Sequence, residues 1–121
     1  METAEVARTY LDCVVGRDYP AIRSLLADRF RLRDLSPPGF TQVDGAAEAL
    51  EWLRGFLDMF ESLDLVDSEV YEIGPVTFVR ARVHFVHPEA GERMLEQSHL
   101  LTIADGRIHA IDELCTGLFE P

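Results

Sequence analysis

Met94-Leu95-Glu96-Gln97-Ser98-His99-Leu100-Leu101-Thr102-Ile103, Ala104-Asp105-Gly106, Arg107-Ile108-His109-Ala110-Ile111-Asp112-Glu113-Leu114-Cys115-Thr116 is the stretch that decides the fold. Two runs rich in strand formers flank an Asp-Gly pair. A type I′ turn needs positive φ at both central residues, so the segment predicts a β-hairpin. Side chains alternate across a strand, which puts Leu95, Gln97, His99, Leu101 and Ile103 on one face. That face is apolar apart from Gln97 and His99, and a titratable ring among aliphatic neighbours is the first pointer to chemistry.

Toward the N-terminus the period of two persists. Val76 to Val86 alternates, with Val79, Ala81, Val83 and Phe85 on one side and Arg80, Arg82 and His84 on the other. Leu65 to Ile73 reads as a further strand, closed by the Gly74-Pro75 turn, so four strands follow one another as a meander. Upstream the period becomes helical. Asp44 is placed to cap a long helix over about Gly45 to Ser62, whose apolar set runs from Ala46 through Trp52, Phe56 and Met59 to Phe60. That stripe is wider than a one-sided surface helix needs, so the helix packs on a sheet and also lines a cavity, or packs on several neighbours. Ser36-Pro37-Pro38-Gly39 reads as a loop. Phe30 to Leu35 is a short strand whose apolar row, Phe30 and Leu32, ends in Asp34. Two helices precede it: Thr3 to Val15, stopped at Gly16, and one capped by Asp18 that ends near Ala27-Asp28. Helices segregated from an antiparallel sheet define an α+β fold. A sheet curled around the long helix leaves a cone with a mouth, a common ligand site.

Length and charge narrow the partners. At 121 residues the chain predicts one domain over 1–121. A net charge of −11 argues against nucleic acid and anionic membrane surfaces, and favours a neutral or cationic small molecule. No apolar run approaches about 18 residues, and no basic and apolar leader opens the chain, so a cytoplasmic address is expected. Two cysteines without a Cys-x-x-Cys spacing, no Gly-rich phosphate loop and no His-Glu-x-x-His pattern lead to the expectation of neither metal nor organic cofactor.

Glu96-Gln97-Ser98-His99-Leu100-Leu101, followed by Asp105-Gly106-Arg107-Ile108, resembles the Glu-Gln-x-His-Leu pattern, Asp-Gly turn and basic-Ile pair of the SnoaL-like polyketide cyclases. In its order of elements the chain is similar, over nearly its whole length, to the cone-shaped α+β superfamily of nuclear transport factor 2, ketosteroid isomerase and those cyclases. The resemblance implies roles. His99 falls where the cyclases carry a pocket histidine and the isomerase a protonated Asp that stabilises an oxyanion. Tyr10 falls at the isomerase's oxyanion-hole tyrosine, Asp34 at its general base, and Glu113 at the cyclases' acid–base Asp. Two departures are plain: His99 is not Asp, and Glu113 is one methylene longer than Asp. A homodimer through the outer sheet face is implied too.

The carboxylate partner of His99 has two readings. With a two-residue turn Ala104 faces Arg107, and counting outward His99 faces Asp112. The resemblance prefers Glu113 inward, which needs a β-bulge or a three-residue turn. The alternation of the last strand leaves both open. In either case a His and an acid in an apolar cavity tune one another and suit proton removal beside a carbonyl. The expected activity is cofactor-independent isomerisation or cyclisation of a hydrophobic, oxygenated small molecule, polyketide-like or terpenoid. Trp52, Phe56, Met59, Gln97 and Leu101 are the expected substrate contacts. Structural roles stand beside these: a core hydrogen bond for His99, helix packing for Tyr10, and a turn cap for Asp34. The alternatives are an epoxide hydrolase on the same fold, which lacks its inward arginine here, and a non-catalytic binding or dimerisation module.

Overall fold

The computed structural model describes residues 1–37 and 39–121. In chain order the elements are α1 (Thr3–Val15), α2 (Tyr19–Leu25), β1 (Leu26–Asp34), β2 (Thr41–Asp44), α3 (Ala46–Leu57), β3 (Ser62–Ile73), β4 (Val76–His87), β5 (Gly91–Ala104) and β6 (Arg107–Cys115). The six strands form one curved, unclosed sheet in the order β2-β1-β6-β5-β4-β3, and with the three helices they make an α+β cone. The meander β3–β6 is as the hydropathy pattern predicts. The sheet is not wholly antiparallel, however: β1 runs parallel to β6, with Leu32 beside Ile111 and Asp34 beside Glu113. This pairing carries Asp34 to the same end of the sheet as the His99 region.

Several boundaries differ from the sequence reading: β1 begins at Leu26 rather than Phe30 and β3 at Ser62 rather than Leu65, and the helices differ as follows. The second helix stops at Leu25, because Leu26 already pairs with Ile108 of β6 and is fully buried there. Asp44 caps no helix. It closes β2, a four-residue edge strand too short and too exposed to show a hydrophobic alternation. Gly45 is the N-cap instead, at φ 94 and ψ 141, a conformation that a β-carbon opposes. The long helix ends at Leu57 rather than Ser62, and Phe60 turns inward to meet Phe85 at 4.5 Å between ring centroids. Met59, past that end, is 49% exposed. Of the Ser36–Gly39 loop, Pro38 lies outside the described residues.

The concave face is the core. Val79, Ala81, Leu95, Leu101 and Ile111 are buried against α1 and α3, and each of the larger aliphatic side chains contributes about 1.5–3 kcal/mol by leaving water. α1 lies against β3, β4 and β5, and α3 against β1 and β2. The turn after α1 is fastened to the far end of α3. Arg17, at φ 54, donates to the Phe60 carbonyl at 2.5 Å, and Tyr19 donates to Asp58 at 2.5 Å while Arg54 stacks 4.5 Å over its ring. These ties hold α1 and α3 at a fixed separation over the sheet. No described helix is long and apolar enough to cross a membrane.

Candidate active site

A cavity of about 130 Å³ lies between the concave sheet face and helices α1 and α3. Its walls are apolar: Leu11, Val14 and Val15 from α1, Trp52, Leu53 and Phe56 from α3, and Val83, Phe85 and Leu95 from the sheet. Into this lining project Tyr10, Asp34, Gln97, His99, Glu113 and Cys115. Convergent polar groups in an otherwise apolar pocket are the usual mark of a ligand site.

A β-bulge settles which acid meets His99. The turn is as the Asp-Gly pair predicts, with Asp105 at φ 53, Gly106 at φ 73, and Ala104 opposite Arg107. Ile103 then pairs with Ile108, but Thr102 pairs with Ala110, so His109 is left over on β6. Every later residue of β6 is displaced by one. His99 therefore faces Glu113, and Asp112 turns to the other side of the sheet. Ile108 and Ile111, three apart, are both fully buried, which an unbroken alternation forbids. The burial of those two isoleucines is what the bulge achieves.

Asp112, one of the two candidate acids, is thus not in the cavity. Its carboxylate accepts from Arg33 Nε and Nη2 at 2.7 and 2.8 Å and from Arg31 Nη1 at 3.0 Å. The Arg33 guanidinium holds that carboxyl below the usual range. Because this fork sits on the outer face, Asp112→Asn is expected to leave ligand binding in the cavity unchanged and to lower Tm by less than about 5 °C, checked by thermal melting.

Inside, His99 and Glu113 are almost fully buried, at 4% and 5% exposure. His99 Nδ1 lies 3.3 Å from Glu113 Oε2, and Nε2 lies 3.0 Å from Gln97 Oε1. Burial pushes the imidazole down to about 4, with the Asp34 charge opposing the fall. Burial pushes the Glu113 carboxyl up to about 8, and Asp34 adds to the rise. Both shifts favour uncharged forms, as expected for ionisable groups removed from water. The Tyr10 phenol is raised as well, by burial first and by the Glu113 charge second, so it stays a hydrogen-bond donor. Tyr10 lines the cavity, and its hydroxyl has no protein partner among the described residues. Asp34 does two things at once: its Oδ1 accepts from Ser36 N at 2.9 Å, closing the turn, and its side chain borders the cavity.

Of the expected substrate contacts, Trp52, Phe56 and Gln97 line the cavity. Met59 does not, because the helix has ended two residues earlier. Leu101 does not either: it is 1% exposed and packs in the core two residues beyond His99. Val14, Val15 and Cys115 are wall residues that the sequence reading did not single out. Cys115 shares the inward face with Glu113, again because of the bulge. Among the described residues no arginine lines the cavity, and no group of three or more His, Cys, Asp or Glu is arranged to hold a metal.

Comparison with known proteins agrees with this architecture. The family model of the SnoaL-like domain matches residues 7–111. A Catenulispora acidiphila protein with a ketosteroid isomerase-like fold, solved in complex with trimethylamine, superposes with a TM-score of 0.79 at 15% identity, covering 93% of this chain and 85% of that one. A Shewanella putrefaciens protein named as a candidate SnoaL-like polyketide cyclase gives 0.79 at 14% identity, covering 95% and 90%. An NTF2-like protein of unknown function from Burkholderia pseudomallei gives 0.77 at 18% identity, covering 93% and 90%. No curated protein matches the sequence. At these identities the solved structures show a shared fold.

Proposed function

This chain belongs to the SnoaL-like domain family, and we propose that it is an acid–base catalyst that isomerises or cyclises a compact, apolar carbonyl compound. The observation that carries this reading is the His99–Glu113 pair, 3.3 Å apart, buried in an apolar cavity beside the Tyr10 phenol and the Asp34 carboxylate. The chemistry needs only positioned proton donors and acceptors. Asp34 takes a proton from the carbon next to the carbonyl. The C–H electrons move into the enolate, whose oxygen accepts hydrogen bonds from Tyr10 and from the protonated Glu113. Asp34 then returns the proton at another carbon, which shifts the double bond. In a ring closure the enolate carbon instead attacks a second carbonyl, whose oxygen takes the Glu113 proton, and the proton held by Asp34 passes back to Glu113 to restore the acid. Neither route changes oxidation state.

The cavity limits the substrate. Its volume of about 130 Å³ is close to the ~150 Å³ that accommodates a benzene ring. One six-membered ring fills the enclosed part, and larger groups extend past the half-buried Val14, Val15, Trp52 and Phe56. A simple probe is 3-cyclohexen-1-one, whose conversion to the conjugated 2-cyclohexen-1-one is followed by ultraviolet absorbance. Saturable acceleration over buffer is the expected result. Binding of the enone with only the background rate would remove the catalytic reading.

One observation favours a second reading. Acids and aromatic walls without a lining arginine suit a small cation, and the Catenulispora relative holds trimethylamine. In that case the protein is a receptor for a compact amine, and trimethylamine binds by calorimetry whereas the enone does not.

A further inference from the structure

A neutral imidazole carries one hydrogen, and the partner of one ring nitrogen fixes the state of the other. His99 Nε2 faces Gln97 Oε1 at 3.0 Å, and a carbonyl oxygen only accepts. The other end of the same amide faces Cys115. The two residues are direct cross-strand partners. Gly117 N–H donates to the same sulfur at 3.2 Å. The amide thus turns its oxygen to His99 and its NH₂ away from the ring. Nε2 then holds the hydrogen, and Nδ1 presents a bare lone pair. Among the described residues the buried Nδ1 has no hydrogen-bond partner, and the polar atom it faces is Glu113 Oε2 at 3.3 Å. A lone pair against an ionised carboxylate is two acceptors in contact. Against a protonated carboxyl it becomes a hydrogen bond.

We propose that Gln97 is a positioning residue: its amide, set opposite Cys115 on the neighbouring strand, fixes the hydrogen on His99 Nε2 and thereby keeps the shared proton on the Glu113 carboxyl. The cavity is therefore presented with an acid rather than a carboxylate. That this acid serves a reaction rests on the function proposed above; the proton arrangement itself does not. The arrangement has one fully paired opposite. When Glu113 loses its proton, the Gln97 amide turns over, its NH₂ donates to Nε2, its oxygen accepts from the Cys115 S–H, and Nδ1–H donates to the carboxylate. Proton release, tautomer exchange and amide rotation are then a single event. The titratable groups facing the pair are Tyr10 from α1, Asp34 from β1 and Cys115 from β6, while α3 and β4 offer only apolar side chains such as Trp52, Leu53 and Val83. Arg31 and Arg33 are on the opposite face with Asp112.

Nitrogen-15 spectroscopy of the histidine rings tests this without a substrate, with His99→Gln identifying the His99 signals. The expected result at pH 6.5 is a protonated Nε2 and an unprotonated Nδ1, exchanging to protonated Nδ1 as Glu113 titrates. In Gln97→Leu nothing holds the Nε2 hydrogen, and the Glu113 titration moves down by roughly one pH unit. An imidazolium or an Nδ1–H tautomer in the native protein at pH 6.5 would overturn the proposal, as would an unmoved Glu113 titration in the variant. Should Gln97→Leu fail to fold, the native spectrum decides alone. Failure of the enone assay with the predicted spectrum would remove the catalytic reading and leave the Gln97 assignment standing.

Discussion

Glu113→Gln is expected to lower turnover by roughly 10² to 10⁴-fold while the far-ultraviolet circular dichroism is unchanged. The amide has nearly the volume of the acid, and its NH₂ can donate to His99 Nδ1 in place of the carboxyl hydrogen, so packing around the pair survives. What disappears is a proton that can be given up. His99→Ala is expected to fall in the same range, because it removes the group that holds the Glu113 proton in place. Asp112→Asn, one residue away, is the internal comparison. It alters a charge of the same type on the outer face and is expected to turn over near the native rate. Equal losses in Glu113→Gln and Asp112→Asn would mean that charge on β6, and not the cavity acid, sets the rate.

The second large effect is on stability. Between about pH 6.5 and pH 8 the folded protein is expected to lose about 2 kcal/mol, and Glu113→Gln is expected to abolish that loss. In the unfolded chain the carboxyl titrates near 4.5 and the imidazole near 6.5. Between those values the unfolded pair holds one proton, on the imidazole. The folded pair also holds one, on the carboxyl, since Glu113 is raised to about 8 and His99 lowered to about 4. Equal proton counts give no pH dependence. Above pH 6.5 the unfolded chain releases its proton and the folded protein keeps its own, so rising pH favours unfolding until Glu113 ionises. Below pH 4.5 the unfolded chain gains a second proton first, so falling pH favours unfolding as well. In Glu113→Gln only the lowered imidazole remains, and stability rises up to about pH 6.5 and is then level. Denaturant melts at pH 6.5 and 8.5 check this; an alkaline loss of equal size in the variant would contradict it.

Much of the architecture was legible because it rests on periodicity. Leu95, Leu101, Val79, Val83 and Phe85 alternate without interruption, and the sheet forms where they do. Asp105-Gly106 announced its turn because few other pairs take positive φ twice. What stayed hidden depends on partners distant in the chain. The β1–β6 pairing is parallel, and nothing local in Leu26–Asp34 records its direction. β2 exists only as an edge to β1. The inward acid was readable in principle. Ile108 and Ile111 cannot share a face of a regular strand, so two isoleucines three apart beside a polar His109 already indicated a bulge. Counting residues outward from the turn instead gave Asp112. Met59 shows the opposite failure, a helical stripe continued past the point where Phe60 is needed against Phe85.

The most direct measurement is the titration of Glu113 itself, by carbon-13 spectroscopy of the labelled side-chain carboxyl with Glu113→Gln identifying the signal. A neutral carboxyl at pH 7 that ionises near pH 8 is the predicted result. A carboxylate already ionised at pH 6, with a midpoint close to 4.5, would contradict the account, because the cavity would then hold no acid to donate.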